Sequence, residues 1–271
     1  MMKWTIIEAS HVLPPMPMTV RAQSLPARHH FPEHSHLWNQ MVYAISGVLT
    51  VNTSAGSVVI SPEQAVWLPT GLSHIVGSLL GAEFRSLWIA DDVDSGLSKT
   101  LPTVFSVSPL LKALIVEAYE IENDENDSGY HKRVTELIID QLRRTRAITE
   151  ALPWPKGSAL SSMCEALYAD PADSRQQEEW GRELGMSGRT LARHFVAETG
   201  LSLRTWRRRL RLFRAIELLG GGLGVTQTAM ELGYGSTSAF VYAFHQEMGC
   251  TPQSYIQGNL RKDCGQRRTR S

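Results

Sequence analysis

Along the first hundred residues, apolar positions come in short runs: Gln40–Ile45, Val48–Asn52, Ser57–Ile60, Ala65–Leu68, His74–Leu79 and Phe84–Ile89. Turn-forming residues separate them, at Ser46-Gly47, Ser54-Ala55-Gly56, Ser61-Pro62, Pro69-Thr70-Gly71 and Leu80-Gly81. Strands at this spacing predict an all-β sandwich or barrel. The period changes at Ser108-Pro109. Leu110, Leu111, Leu114, Ile115 and Ala118 recur at steps of three and four, which predicts an amphipathic helix with Pro109 in its first turn. The acidic stretch Glu120–Asp127 reads as a solvated loop, and a second helix is expected over Tyr130–Ile148. Such a hairpin could pack on the barrel or on a second copy of the chain. Leu152-Pro153-Trp154-Pro155-Lys156-Gly157 cannot continue a helix and is the linker candidate.

From Leu160 onward the pattern is helical throughout. Leu160, Met163, Cys164 and Leu167 form one apolar stripe that stops at Asp170-Pro171, and Ser174 with Gln177 suggests a capping box for the next helix. Gly185-Met186-Ser187 makes a turn. In the helix that follows, Leu191 and Phe195 share one side while Arg189, Ala192, Arg193 and Ala197 share the other. A long helix over Leu203–Leu219 sets Trp206, Leu210 and Phe213 beside a stripe of Arg204, Arg207, Arg208, Arg211 and Arg214. The layout then recurs, with a short helix over Val225–Leu232, a turn at Gly233-Tyr234-Gly235, and a helix over Ser236–Met248 with Phe240 and Phe244 inward. Helix, short glycine turn, helix is the helix-turn-helix layout, here repeated.

Composition sharpens this division. The formal net charge is zero, but residues 1–159 carry 12 Lys/Arg against 16 Asp/Glu, and residues 160–271 carry 15 against 11, with 14 of those 15 arginine. The second half thus has the electrostatic footprint of a nucleic-acid binder. Residues 259–271 add a basic tail expected to be disordered. Three widely spaced cysteines with no Cys-x-x-Cys give neither a disulfide framework nor a cysteine zinc site. No basic, apolar leader opens the chain and no apolar stretch approaches a membrane span, so the cytoplasm is the expected location and no membrane partner is expected.

Five of the nine histidines stand at positions 29, 30, 34, 36 and 74. His34-Ser35-His36, then Gln40 and Gly47, and later Pro69-x-Gly71-x-x-His74, resemble the two motifs of the cupin family of small β-barrels, or jelly rolls. Metal cupins usually carry Glu where this chain has Gln40, so the implied site is three neutral imidazoles and an amide. Three histidines (His34, His36 and His74) can still hold zinc or a similar divalent ion; the alternative is that they line the barrel mouth and hydrogen-bond the backbone or a ligand. With Trp38, Gln40, Tyr43, Trp67, Arg85 and Trp88 they make up the candidate effector site. No nucleophile–base arrangement, paired carboxylates or phosphate loop accompanies them, so catalysis is not expected.

The second half resembles the AraC/XylS family of bacterial transcription regulators. The resemblance rests on Ser187-x-Arg189-Thr190-Leu191-x-Arg193-x-Phe195, Thr199-Gly200, Trp206-Arg207 and Arg211-Leu212, then Leu232-Gly233-Tyr234-x-Ser236-x-Ser238-Ala239-Phe240-x-x-Ala243-Phe244 and Gly249-x-Thr251-Pro252-x-x-Tyr255. It implies an α+β chain: a cupin-like effector-sensing barrel over 1–105, a helical hairpin over 106–150 that can serve dimerisation, a linker over 151–158, and over 159–258 an all-α domain with two helix-turn-helix units joined by a long helix. It implies a regulator that binds double-stranded operator DNA under control of a small-molecule effector, works with RNA polymerase and forms a homodimer. By that resemblance Arg189, Ala192 and Arg193 map to contacts of the first recognition helix, and Thr237, Ser238, Ala239 and Tyr242 to those of the second. Arg207, Arg208 and Arg211 are candidate phosphate contacts. Three departures stand out: Ala192 is too short for a bidentate base contact, Tyr242 replaces a residue that is often basic, and Gly181 stands where Ala is usual, at a helix cost of about 1 kcal/mol. The rival is a metal-dependent cupin enzyme with an accessory helical domain.

Overall fold

The computed structural model describes residues 4–7, 17–62, 64–122, 128–148 and 151–257. The tail expected to be disordered, Cys264 and most of the acidic run lie outside the described residues. The chain divides into two compact units, Met1–Ala151 and Leu152–Ser271.

The first unit holds strands β1 (Thr5–Ile6), β2 (Met18–Leu25), β3 (His29–His30), β4 (Asn39–Gly47), β5 (Leu49–Thr53), β6 (Gly56–Ile60), β7 (Gln64–Leu68), β8 (His74–Ser78), β9 (Ala82–Ile89) and β10 (Thr103–Ser106), followed by helices α1 (Pro109–Glu120) and α2 (Ser128–Arg143). One sheet runs β10-β7-β4-β9-β2, and a second contains β3-β8-β5-β6 in order, with β1 beside β3. Side-chain parity along the strands builds two cores, because successive residues face opposite sides of a sheet. Val42, Ala44, Val66, Leu68 and Phe84 of the first sheet meet Leu49, Val51, Ile60 and Val76 of the second. The alternate residues Met41, Tyr43, Ala65, Trp67, Leu87 and Ile89 lie on the other face and pack with Leu111, Ile115, Val134, Ile138 and Leu142 of the two helices. Both helices therefore cover their own barrel. Ser108 caps α1 by accepting from the Leu111 N–H, with Pro109 in the first turn. α2 ends at Arg143 rather than continuing to Ile148, because Ala147 bridges to Phe105 and the Ile148 N–H bonds to the Val104 carbonyl.

The second unit contains β11 (Leu152–Trp154), α3 (Ser158–Ala169), α4 (Gln177–Glu183), α5 (Gly188–Thr199), α6 (Leu203–Gly220), α7 (Val225–Glu231), α8 (Thr237–Met248) and α9 (Pro252–Ile256). The expected linker at Leu152–Gly157 is instead a built part of this unit. Leu152 and Trp154 are buried, Trp154 packs on Trp206 and Tyr168, and the Trp206 indole N–H donates to the Pro153 carbonyl at 2.7 Å. Two prolines stop helix formation here, but an aromatic pocket fixes the segment. The capping box expected at Ser174–Gln177 is shifted: α4 is capped at Gln176, whose N–H bonds the Glu179 carboxylate at 2.7 Å. The box is the one permitted by Glu at the third helical position, since Gln177 lies already inside the helix.

Candidate DNA interface and barrel site

α4–α5 and α7–α8 are built alike. α4 and α7 each span 7 residues and α5 and α8 each 12. Each turn places a glycine at positive φ, Gly185 at 69° and Gly233 at 72°, where an L side chain is strained. Ser187 and Ser236 cap α5 and α8 by accepting from the N–H groups of Thr190 and Ala239. Gly200 and Gly249 end those helices in the left-handed conformation. Leu191, Phe195 and Thr199 face inward from α5, leaving Arg189 and Arg193 exposed and Ala192 half-buried. From α8, Phe240 and Phe244 face inward, while Ser238, Ala239 and Tyr242 are exposed and Thr237 is half-buried.

α6 supplies both cores. Its first half contributes Trp206, edge-on to Phe195 with centroids 5.7 Å apart. Its second half contributes Ala215 and Leu219, which pack with Ala229, Leu232, Phe240 and Phe244. The arginine stripe of α6, expected to grip phosphates, is largely engaged within the unit. Arg207 donates to the carbonyls of Asp173 and Arg175, and Arg211 to that of Pro171, so both tie the α3–α4 loop to α6. Arg208 pairs with Glu247 at 3.0 Å and stays largely exposed. Arg214 is taken up by the buried Glu217, which also accepts from the Tyr168 hydroxyl. The loop carbonyls had no partner legible in the sequence; the arginines supply it.

Gly181 stands at a close backbone approach. A Cβ there would lie 2.8 Å from the Met186 carbonyl oxygen and 3.0 Å from the Gly188 nitrogen, both backbone. The glycine lets α4 close directly onto the start of α5, which offsets its poor helix propensity.

In the barrel, His34, His36 and His74 converge, and their ligand atoms lie within 4.8 Å of one another. Each Nδ1–H donates to a backbone carbonyl: Pro32 at 2.9 Å, Trp38 at 2.7 Å and Leu72 at 2.8 Å. A carbonyl only accepts, so these bonds put a proton on each Nδ1 and leave Nε2 as the ring atom available to a ligand. Burial disfavours the charged form, lowering the pKa of His36 and taking that of His74 down to about 4. Gln40 Oε1 stands 2.9 Å from His36 Nε2 and 3.0 Å from His74 Nε2. Its Nε2–H donates to Ser86 Oγ at 2.5 Å. Imidazoles oriented by carbonyls at their far nitrogen, with an amide oxygen among them, form a donor set suited to a divalent cation.

Parity divides the remaining candidates. Trp38 stacks on His36 at 4.9 Å and Trp88 lies 5.4 Å from Trp38, so both join the histidine side. Tyr43, Trp67 and Arg85 do not. Tyr43 and Trp67 are buried against α1 and α2, the Trp67 indole donates to the Ser98 carbonyl, and Arg85 stacks on Tyr119 of α1 at 4.5 Å. Gln40 and Tyr43 are an odd number of residues apart on one strand, so their side chains leave it on opposite faces. Arg85 is the register partner of Tyr43 and goes with it. Ser86 and Arg21 belong on the histidine side and were not among the candidates; β2, which carries Arg21, was not recognised as a strand. Its alternation of Met18, Val20 and Ala22 with Thr19, Arg21 and Gln23 is the signal that reveals it.

A sheet-rich unit with a histidine cluster, followed by a unit of two capped helix-turn-helix repeats on one shared helix, has the layout of a DNA-binding regulator. A family profile described as "Helix-turn-helix domain" matches residues 180–258. The chain is 31% identical over 228 residues to the HTH-type transcriptional regulator NimR of Escherichia coli K12, covering 83% of this chain and 82% of that protein. It is 32% identical over 133 residues to the HTH-type transcriptional regulator RipA of Corynebacterium glutamicum, covering 49% of this chain and 40% of RipA. A crystal structure of ToxT from Vibrio cholerae O395 aligns over 89% of this chain and 97% of its own, at 15% identity and a TM-score of 0.38. The chain belongs to the AraC/XylS family of DNA-binding transcription regulators. It is a regulator and not an enzyme, which sets aside the metal-dependent cupin alternative. No helix among the described residues is long and apolar enough to cross a membrane.

Proposed function

We propose that this regulator reads its operator chiefly through Arg189 and Arg193 of α5 and answers to a small molecule bound beside the barrel histidines. The observation that carries the reading is the exposure of both arginines on a Ser-capped helix whose opposite side is locked to Trp206. Arginine pairs bidentately with guanine in the major groove, so these two side chains discriminate bases. Thr237, Ser238 and Tyr242 of α8 position the second unit, and the N–H groups at the starts of both helices hold phosphates. Arg208 adds to phosphate contacts; Arg207 and Arg211 support the fold. Leu110, Val116 and Leu137, exposed on α1 and α2, support a homodimer through the hairpin. The regulator acts in the cytoplasm with RNA polymerase as its promoter partner. Mapping bound sites across the genome, then comparing wild type with Arg193→Ala on the recovered operator, tests the reading. Loss of operator preference with weak, salt-sensitive binding retained is expected; full discrimination by the variant overturns the groove assignment.

His34, His36 and His74, with Gln40 as fourth ligand, would hold a divalent cation, which supplies a coordination point for an effector oxygen or nitrogen. The carbonyl-fixed Nδ1 protons support this. Elemental analysis of chelator-free protein is expected to give one metal per chain, lost in His74→Ala. A protein that stays metal-free after incubation with zinc rejects it.

A further inference from the structure

The second unit begins at Leu152, and the residues that follow fasten to the back of α5. Phe195 and Glu198 lie roughly 120° and 180° around that helix from Arg189, on the side away from the outward arginines. Phe195 meets Trp206 edge-on, with centroids 5.7 Å apart. Trp206 packs in turn on Trp154 at 5.6 Å, and its indole N–H donates to the Pro153 carbonyl at 2.7 Å. Trp154 is held by its own indole N–H, which donates to Ser161 Oγ at 3.0 Å. Glu198 supplies a second attachment by accepting from the Gly157 N–H at 2.7 Å. Gly157 is the N-cap of α3 and makes no side-chain cap of its own. A carboxylate from α5 stands there instead, favoured by the positive end of the α3 dipole. A Cβ at position 157 would lie 2.8 Å from that carboxylate, so the glycine leaves room for it.

The second helix-turn-helix is held differently at the matching positions. Glu247 stands in α8 where Glu198 stands in α5, each shortly before the left-handed glycine that ends its helix. Glu247 pairs with Arg208 of α6 at 3.0 Å, and Phe244 packs on Tyr255 of α9 at 5.7 Å. The back of α8 is thus fastened to α6 and α9, and the back of α5 to the stretch by which the chain enters the unit. A side chain that binds through a fixed fork must be held to within about 0.5 Å and 10–20° of its productive geometry. What grips the back of α5 therefore decides whether Arg189 and Arg193 meet base edges squarely. We propose that Trp154 and Glu198 are positioning residues for base reading by α5, and that α8 does not depend on them. This rests on the reading that Arg189 and Arg193 discriminate bases.

The test uses full-length protein and the operator recovered by genomic mapping. Each base pair of the operator is changed in turn, and the penalty is the ratio of the two affinities. Positions whose penalty vanishes in Arg193→Ala define the block read by α5. A smaller folded fraction lowers every affinity by one factor and leaves these ratios untouched, so they report position rather than stability. At that block the penalties are expected to shrink about fivefold or more in Glu198→Ala and in Trp154→Leu, and by less than about twofold elsewhere. Glu198→Gln keeps an oxygen for the Gly157 N–H and is expected to hold the penalties within about twofold. Glu247→Ala, the matched change on α8, is expected to leave the penalties at the α5 block within the same range. Unchanged penalties in a folded variant overturn the role of that residue, and shrinkage at every position alike overturns the proposal. If Trp154→Leu fails to fold, Glu198→Ala decides. An Arg193→Ala protein that keeps every penalty removes the base-reading assignment and the proposal with it. If Arg193→Ala loses the block while Glu198→Ala and Trp154→Leu keep it, the base-reading assignment stands and the positioning role alone falls.

Discussion

The two helix-turn-helix units share a length, a turn and a pair of caps, yet they present different outward faces. In the first, α5 exposes Arg189 and Arg193, and Gly181 lets α4 approach the next turn at backbone distance. In the second, Ala229 occupies the corresponding place in α7 and is buried. There α8 exposes Ser238 and Tyr242, the latter with 69% of its surface accessible. A shallow groove lined by Thr237, Ser238, Val241, Tyr242, His245 and Gln246 follows that helix. The outward face of α5 is cationic and that of α8 is neutral at the matching positions. Identical backbone devices thus fix where a recognition helix stands, while a few outward side chains decide whether it discriminates bases or only rests on the duplex.

The sharpest break in this comparison is Arg189→Ala with Arg193→Ala. Each bidentate arginine–guanine pair contributes about 1–3 kcal/mol of discrimination, so with both removed fluorescence anisotropy on operator and scrambled duplexes is expected to show the preference falling by roughly one and a half to four orders of magnitude. The matching pair Ser238→Ala with Tyr242→Ala is expected to lower affinity less than tenfold on both duplexes alike; an equal loss of preference from both pairs would erase the asymmetry. Next comes Gly181→Ala. Helix propensity alone forecasts a gain of about 1 kcal/mol, but the Cβ would sit 2.8 Å from a backbone oxygen. A net destabilisation of about 1–3 kcal/mol in urea melts is therefore expected, whereas a rise in midpoint would show that α4 and α5 have room to part. Smallest and most even are the caps: Ser187→Ala and Ser236→Ala are each expected to cost about 1 kcal/mol, and a clear inequality in thermal melts would show that the two units differ in backbone as well as in surface.

Much of this layout was legible in the chain because it depends on local chemistry. Ser187 and Ser236 announce helix starts, and Gly185 and Gly233 announce turns, whatever surrounds them. The outward set on α5 follows from 3.6-residue geometry once Leu191 and Phe195 are taken as core. Where partners lie far apart in sequence, the reading failed. Arg207 and Arg211 have the spacing of a phosphate-gripping stripe, and only the folded α3–α4 loop shows which carbonyls they serve. Pro153 and Pro155 mark the end of helix formation, yet Trp206, some fifty residues later, turns the segment into a packed wall. The barrel site divides the same way. His34, His36 and His74 were legible as a motif, and so was the opposite parity of Gln40 and Tyr43. The side taken by Arg85, Ser86 and Arg21 depends on pairing between β2, β4 and β9, which no local pattern specifies.

Both recognition units are built on one helix, α6, whose 18 residues span about 27 Å at the usual rise. Moving one reader against the other would mean bending that helix and opening a core at each end. The helix therefore acts as a ruler. In the proposed reading the duplex must present a groove to each unit at one fixed separation and one rotational phase, because duplex DNA completes a turn in about 10.5 base pairs. Any mismatch in spacing has to be absorbed by bending or twisting the DNA, so the stiffness of the intervening sequence becomes part of what this protein recognises.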